Sequence, residues 1–501
     1  MTTMPHWLWQ RTRLTPDRPA LEFSGRWWSF AELERFARAW AEVLRSVGVK
    51  RETKVALLIR NQPYAVALIH ALTYLGAVGV LLNRRLAVGE LAFQLGEADV
   101  EVVVYDPSQD DQVKALRSRW PGRTWLCAEH QLTAGASPPK TGELSAPPIN
   151  LDSTQGLMYT SGTSGRPKAV ILSYANHWWS AMGSAINLGL SPDDRWLACV
   201  PLYHVSGLSI LLRSVLYGTA VVLHDGFDAS RVNTAIFEQR VTGLSVVAVM
   251  LRELLENLGD RRYPPSLRVM LAGGGPVPPT LLEAGQARGV PIYQTYGLTE
   301  TASQVVTLPP EYALRKLGSA GKPLFPAEVR IGLADDQGVG EIWVRGPNVT
   351  PGYYRREEED RRAFADGWLK TGDLGYIDEE GFLYVLDRRR DLIISGGENV
   401  YPAEVESVLM THPAVRDAGV IGVNHARWGK VPVAVVVVAD DGLSAADVKA
   451  HCATQLAGYK VPRKVYFADR LPRTASGKLI RRLLHDIVPS AMEGDGADAD
   501  G

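Results

Sequence analysis

Short runs made almost wholly of apolar residues recur through the first half of this chain, unbroken at residues 55–59 and again at 78–82 and 100–105, the last with Glu101 inside it. Such a run reads as a strand buried on both faces. Between the runs the apolar positions fall at helical spacing. Ser29 stands three residues before Glu32, a capping box. Leu33, Phe36, Ala37 and Trp40 then share one face. A second helix is expected from residue 64. It runs into the strand that ends at 82, and the two together are long enough to raise a membrane span. His70, Gly76, Gly79 and the following Asn83 argue instead for a buried helix and strand. Strands alternating with helices predict a doubly wound α/β sheet.

Residues 106–150 carry Pro, Ser, Gly and charge with little periodicity, and read as a surface excursion. The alternation then resumes. Ser173 caps a helix through Trp178 and Trp179, followed by strands at 196–200, 221–223 and 244–249. Two further strands, 267–271 and 291–294, are expected to end in glycine-containing turns at 272–276 and 295–300, where backbone can approach a ligand. The tail changes character. Residues 341–346 and 381–387 read as short antiparallel strands, 402–410 as a helix, 431–438 as a strand and 460–478 as a loop-rich end. A charged run at 388–390 marks a boundary. The expected division is a large domain over 1–387, a smaller α+β domain over 388–490, and a disordered acidic tail over 491–501.

Composition narrows the class. The chain has 501 residues, 46% of them hydrophobic and 22% charged, with formal net charge −1. No basic run suggests nucleic acid. Cys127, Cys199 and Cys452 are scattered and odd in number, against a disulfide framework and in favour of a reducing, cytoplasmic setting.

The chemistry gathers around Tyr159-Thr-Ser-Gly-Thr-Ser-Gly-Arg-Pro-Lys-Ala-Val170, which reads as strand, turn, strand. Gly162 and Gly165 let the backbone turn its N–H groups toward one point. Thr160, Ser161, Thr163 and Ser164 add hydroxyls, and Lys168 adds a cation. Convergent amides, hydroxyls and a lysine make a phosphate cradle. The spacing is not that of a Walker A loop. Glu300, closing Thr295-Tyr-Gly-Leu-Thr-Glu300, is a hard oxygen ligand suited to Mg²⁺. His204 sits beside a predicted strand end, where α/β sheets build sites, and is a candidate catalytic group.

These strings resemble the adenylate-forming superfamily, which includes acyl-CoA synthetases. The resemblance spans nearly the whole chain, with Ser164 and Ala169 standing where the commonest pattern has Thr and Gly. It implies a two-domain α/β fold with a small β-rich part and a hinge. It also implies two half-reactions: ATP activates a carboxylic acid as its adenylate, releasing pyrophosphate, and coenzyme A then displaces AMP. By the same resemblance Glu300 binds the metal, Thr299 touches phosphate and Tyr296 stacks on adenine, with Gly297 in the same string. Gly273, Gly274 and Gly275 approach adenine, while Asp373, in Thr371-Gly-Asp373, and Arg388 serve the ribose or phosphate. Lys478 reaches the carboxylate and α-phosphate during adenylation. Asp387 is the hinge, and Gly396, Gly397 and Glu398 face the site when coenzyme A reacts.

Residues 176–190 and 206–218 further resemble the branch whose members activate o-succinylbenzoate in menaquinone biosynthesis, an acid with a second carboxylate on its ring. Ser206, Ser209 and Arg213 fall at i, i+3 and i+7, one helical face beside His204, and are candidates for acid recognition. A pairing of Arg213 with a structural carboxylate stays open. So do a fatty or aryl acid as substrate, a carrier-loading enzyme, a luciferase-like oxygenase and a non-catalytic nucleotide-binding regulator. A homo-oligomer is compatible with the sequence.

Overall fold

The computed structural model describes residues 2–131, 146–160, 167–388, 391–395, 398–425, 428–439, 442–456, 458–474, 477 and 479–488. Its first sheet has six strands, in the order Lys168–Ser173, Thr154–Thr160, Val78–Leu81, Lys54–Leu58, Val102–Tyr105 and Thr124–Cys127. Only the first pair is antiparallel. The all-apolar runs are buried on both faces, as a parallel sheet covered by helices requires. Helix Pro63–Leu75 is buried all round and ends at Gly76 in the left-handed region, φ 63°. It packs on helix Phe30–Ser46, which opens with the Ser29–Glu32 capping box and buries Leu33, Ala37, Trp40 and Leu44. Each large apolar side chain buried this way contributes about 1.5–3 kcal/mol. Among the described residues no helix is long and apolar enough to cross a membrane.

The reading of 106–150 as an excursion is corrected in its first half. Helix Asp110–Arg117 buries Val113 and Leu116, and Thr124–Cys127 is the edge strand of this sheet. A four-residue edge strand and a two-turn helix are too short to leave a period. Residues 132–145 lie outside the described set.

The second sheet has Arg26–Ser29 as an antiparallel edge, then a parallel run of Pro19–Phe23, Ala220–Leu223, Arg195–Ala198, Gly243–Val246, Val269–Ala272 and Ile292–Leu298 side by side. It continues antiparallel through Ser303–Leu308, Ser319–Pro323, Leu383–Arg388, Trp368–Ile377, Gly340–Arg345 and Glu328–Gly332. This is the small β-rich part. Residues 295–298 are therefore strand, not turn. Their partner Ser303–Leu308 lies far enough along the chain to be invisible locally, and a bulge falls between Tyr296 and Gly297.

The two sheets are joined at their C-terminal ends by Asn61. Its side-chain amide donates to the carbonyls of Val200 (2.9 Å) and His224 (3.2 Å), and its oxygen accepts from Leu202 N–H (3.2 Å). A separate five-stranded sheet carries Ile393–Ser395, Glu398–Val400, Val415–His425, Gly429–Val438 and Lys464–Phe467, with helices Pro402–Leu409 and Ala445–Ala453. The chain passes from the large sheet to this small one between Arg388 and Ile393.

Candidate active site

A cavity of about 870 Å³ opens at the seam of the two sheets. It is walled by segments that follow the C-terminal ends of their parallel strands, where α/β sheets bind ligands. It brings together Thr160, Lys168, His204, Ser206, Ser209, Arg213, Gly273, Gly274, Gly297, Thr299 and Glu300 of the residues singled out in the sequence. Gly275, Tyr296 and Asp373 do not line it. Ser161, Gly162, Thr163, Ser164, Gly165, Gly396, Gly397 and Lys478 lie outside the described residues, and of Asp387, Arg388 and Glu398 only the backbone is described.

The phosphate end is built on a hairpin. Thr160 pairs with Lys168 at the last rung of two antiparallel strands, so the glycine-rich stretch must turn between them. Lys168 Nζ lies 4.2 Å from the centroid of the Tyr353 ring and 3.5 Å from Glu359. Tyr353 donates its hydroxyl to Glu300 Oε1 at 3.0 Å. The other oxygen of Glu300 accepts no hydrogen bond among the described residues, and Glu300 lines the cavity, as a carboxylate that takes a hard cation would. Glu300 sits in a 3₁₀ turn, Thr299–Thr301, followed by Ala302 and Ser303 at φ 53° and 126°. These two non-glycine residues reverse the chain so that Ser303–Leu308 returns beside Ile292–Leu298. Gly297 makes the return possible, because a Cβ there would stand 2.1 Å from the Ser303 carbonyl oxygen.

Beside the cavity, the stretch Thr371–Asp373 is held by a set of hydrogen bonds. Tyr296 donates to Asp373 Oδ2 at 2.7 Å, so the residues assigned to adenine and ribose are bonded to each other. Gly372 N–H donates to Glu341 at 3.0 Å, and Asp373 N–H to the Thr371 hydroxyl at 3.1 Å.

The cavity is also lined by apolar Val246, Val247, Met250 and Leu271 and by a buried cation, Arg213. Helix Val205–Tyr217 places Ser209 and Arg213 inward, each under a tenth exposed. Arg213 Nη2 donates to Ser180 Oγ at 3.2 Å, and Ser180 donates to the Ala302 carbonyl at 2.8 Å. Arg213 Nε has no partner, and no carboxylate pairs with this guanidinium among the described residues. Burial lowers its pKa. His204, at the N-terminus of the same helix, is held down to about 4 by burial and then by Arg85, so its imidazole is neutral near pH 7. Its Nε2 has no partner.

Sequence reasoning missed Tyr353, Glu359, Glu341, Lys370, Arg84 and Arg85, all of which line the cavity. Among the described residues, Gly477 of the small domain packs on Val247, which lines the cavity. Gly477, at φ 79°, lies so close to Val247 that a Cβ would stand 2.6 Å from Val247 Cγ2. Arg252 of the large domain donates to the Arg416 carbonyl of the small one.

A cavity at the C-terminal ends of parallel strands, lined by Thr160, Lys168 and Glu300, is where an α/β enzyme binds its ligands. The chain belongs to the AMP-binding enzyme family: that family's model matches residues 8–354, and its C-terminal domain model matches 404–478. It is 50% identical to the 2-succinylbenzoate–CoA ligase of Geobacillus kaustophilus over 98% of this chain and 100% of that one. It is 48% identical to the 2-succinylbenzoate–CoA ligase of Bacillus mycoides, over 97% and 99%. The o-succinylbenzoate CoA synthetase of Bacillus subtilis in complex with the acyl-adenylate intermediate OSB-AMP has the same fold, with TM-score 0.89 and 45% identity over 97% of this chain and 98% of that one.

Proposed function

We propose that this chain is an AMP-forming ligase that joins 2-succinylbenzoate to coenzyme A. The observation that carries the substrate reading is Arg213. A buried guanidinium without a carboxylate is costly, and this one lines the cavity. A second carboxylate on the acid would complete it, whereas a fatty chain would leave the charge buried and unmatched.

In the first half-reaction Lys168, Thr160 and the glycine-rich turn hold the polyphosphate, Asp373 holds the ribose, and the acid lies between Arg213 and the α-phosphate. Glu300 would hold Mg²⁺, which when bound spreads the charge of the phosphates. The acid's carboxylate oxygen attacks the α-phosphorus, pyrophosphate leaves, and Lys478 stabilises the charge shared between the two groups. Gly477 packed on Val247 supports this role for its neighbour. In the second half-reaction the small domain turns at Asp387 and replaces Lys478 with the loop of Gly396, Gly397 and Glu398. Arg388 would assist at the ribose or phosphate. The coenzyme A thiolate attacks the adenylate carbonyl and AMP leaves. Neutral His204 lines the same cavity and stands beside the acid as an uncharged hydrogen-bonding group. The substrates and three free cysteines favour the cytoplasm.

Thioester formation with ATP, Mg²⁺, coenzyme A and a panel of acids tests this. Selectivity for 2-succinylbenzoate over benzoate, succinate and fatty acids is expected. Equal use of a fatty acid would overturn the substrate reading and leave the ligase chemistry standing.

A further inference from the structure

Two contacts set the small domain on a single helix of the large one. Val247 is the N-cap of helix Ala248–Leu258, which follows the parallel strand Gly243–Val246. Gly477 packs on Val247, and further along the same helix Arg252 donates to the backbone carbonyl of Arg416. A bulge offers that carbonyl. In strand Val415–His425 the pairing passes from Val415 with Val438 to Asp417 with Val437, so Arg416 is the extra residue and leaves the ladder.

From Arg416 the contact continues to the turn that carries Lys478. The next residue, Asp417, is gripped at two points by Arg473, whose Nε and Nη2 donate to its carboxylate at 3.1 and 2.6 Å. The remaining nitrogen, Nη1, donates to the Gly477 carbonyl at 2.7 Å. Gly477 N–H donates to the Thr474 carbonyl at 2.9 Å, and Arg473 and Leu479 form an antiparallel bridge. Both sequence neighbours of Lys478 are thus tied to Arg473. A planar guanidinium can fork a carboxylate and reach a further acceptor in fixed geometry, which a lysine ammonium cannot. Burial lowers the Arg252 pKa, Asp417 and Glu256 raise it, and Arg416 and Arg473 lower it, so Arg252 stands within the field of this pair.

We infer that Arg252, Asp417 and Arg473 are positioning residues of the adenylating half-reaction: Arg252 fixes the small domain on the cavity wall, and the Asp417–Arg473 pair carries that placement to the turn bearing Lys478. This rests on the ligase reading above and on the role it gives Lys478. None of the three lines the cavity, so none holds ATP or the acid. Their effect falls on the rate of adenylation and not on the binding of its substrates. When the small domain turns for the second half-reaction, the Arg252 contact opens, while the Asp417–Arg473 pair travels with the small domain.

The test measures acid-dependent ATP–pyrophosphate exchange and, separately, thioester formation from the isolated acyl adenylate, in the parent and in R252A, R252K, D417N, R473K and R252A/R473K. For R252A we expect the kcat of exchange to fall by about tenfold, since an ångström of displacement at a reacting group is enough for a loss of that order. The KM for ATP and for the acid should stay unchanged, and thioester formation should be spared. R252K keeps a donor for the Arg416 carbonyl and should recover most of the loss. R473K keeps the charge but loses the fork, D417N keeps the shape but loses the charge, and both should slow exchange in the same way. Links in series fail together, so R252A/R473K should lose less than the product of the two single losses. Ordinary exchange in R252A, an equal decline of both half-reactions, a raised KM for ATP or the acid, no recovery in R252K, or losses that multiply in the double variant would each overturn the inference. Absence of exchange in the parent would overturn the ligase reading and this inference with it. Exchange in the parent with any of the preceding results overturns this inference alone.

Discussion

Tyr353 donates its hydroxyl to Glu300 at 3.0 Å while its ring lies under the Lys168 ammonium at 4.2 Å. One side chain thus sets both the carboxylate suited to the metal and the cation of the phosphate hairpin. Tyr353→Phe keeps the ring and removes the bond to Glu300. A hydrogen bond to a charged group is worth about 1.5–3 kcal/mol, so the Mg²⁺ concentration that half-saturates pyrophosphate exchange should rise by about 10-fold to 100-fold. The KM for the acid should stay unchanged. A variant with ordinary Mg²⁺ dependence would show that the contact is only structural.

That pair also marks where the sequence stops being legible. The parallel strands announce themselves because burial on both faces demands unbroken apolar runs. The phosphate hairpin does so because tight backbone and hydroxyls demand Gly, Ser and Thr. Tyr353, Glu359 and Lys370 belong to the antiparallel half and the connections around it. There one face is wet, and nothing local tells which polar side chain turns toward a cavity built by much earlier residues. The same reason hid the extension of Ile292 through Leu298: its partner comes after a reversal at Ala302 and Ser303 that has no glycine to announce it. Arg213 was legible as a helix face, but its lack of a carboxylate partner needed the structure.

Arg213 makes stability and activity move in opposite directions. Replacing a buried unmatched charge with an apolar group of similar length removes a desolvation cost. Arg213→Met should therefore leave the thermal midpoint unchanged or higher. In the same variant the KM for 2-succinylbenzoate should rise by about 10-fold to 100-fold, with the KM for ATP unmoved. Equal effects on the acid and ATP, or a large fall in the midpoint, would place Arg213 in the scaffold instead.

Acid should unfold the large domain through its buried histidines. Burial holds His6 and His177 at about 3 and His70 and His204 at about 4, against an unfolded value of 6.5. Neighbouring charges push the same way: His70 and Arg38 on His6, Arg213 on His177, and Arg85 on His204. A histidine whose folded pKa is depressed stays neutral in the native state and charges on unfolding. Its contribution is therefore full above about pH 6.5 and is lost as pH falls toward the folded pKa. At pH 5 each has given up about 2 kcal/mol. Four such groups together approach the whole stability of an ordinary domain. Chemical denaturation between pH 7 and 5 should show a steep fall, and His177→Gln should flatten its slope. A flat profile over that range would count against neutral burial of these imidazoles.

Gly477 packs the small domain against Val247 at the cavity wall. Its φ of 79° is one that L side chains rarely adopt, and a Cβ would press on Val247 Cγ2 at 2.6 Å. Gly477→Ala should therefore push the Lys478 segment away from the cavity while leaving both domains folded. Pyrophosphate exchange should fall by about tenfold or more, because a displacement of an ångström at a reacting group is enough for a loss of that order. Thioester formation from the isolated acyl adenylate should be spared if, as proposed, that step uses another orientation of the small domain. Val247→Ala in the Gly477→Ala background removes the clash but not the backbone strain, so exchange should return in part. Two sites that touch must couple, and the double variant should therefore exceed the product of the two single effects. If the two half-reactions decline together, or if Val247→Ala gives no rescue, the packing of Gly477 on Val247 does not position the lysine.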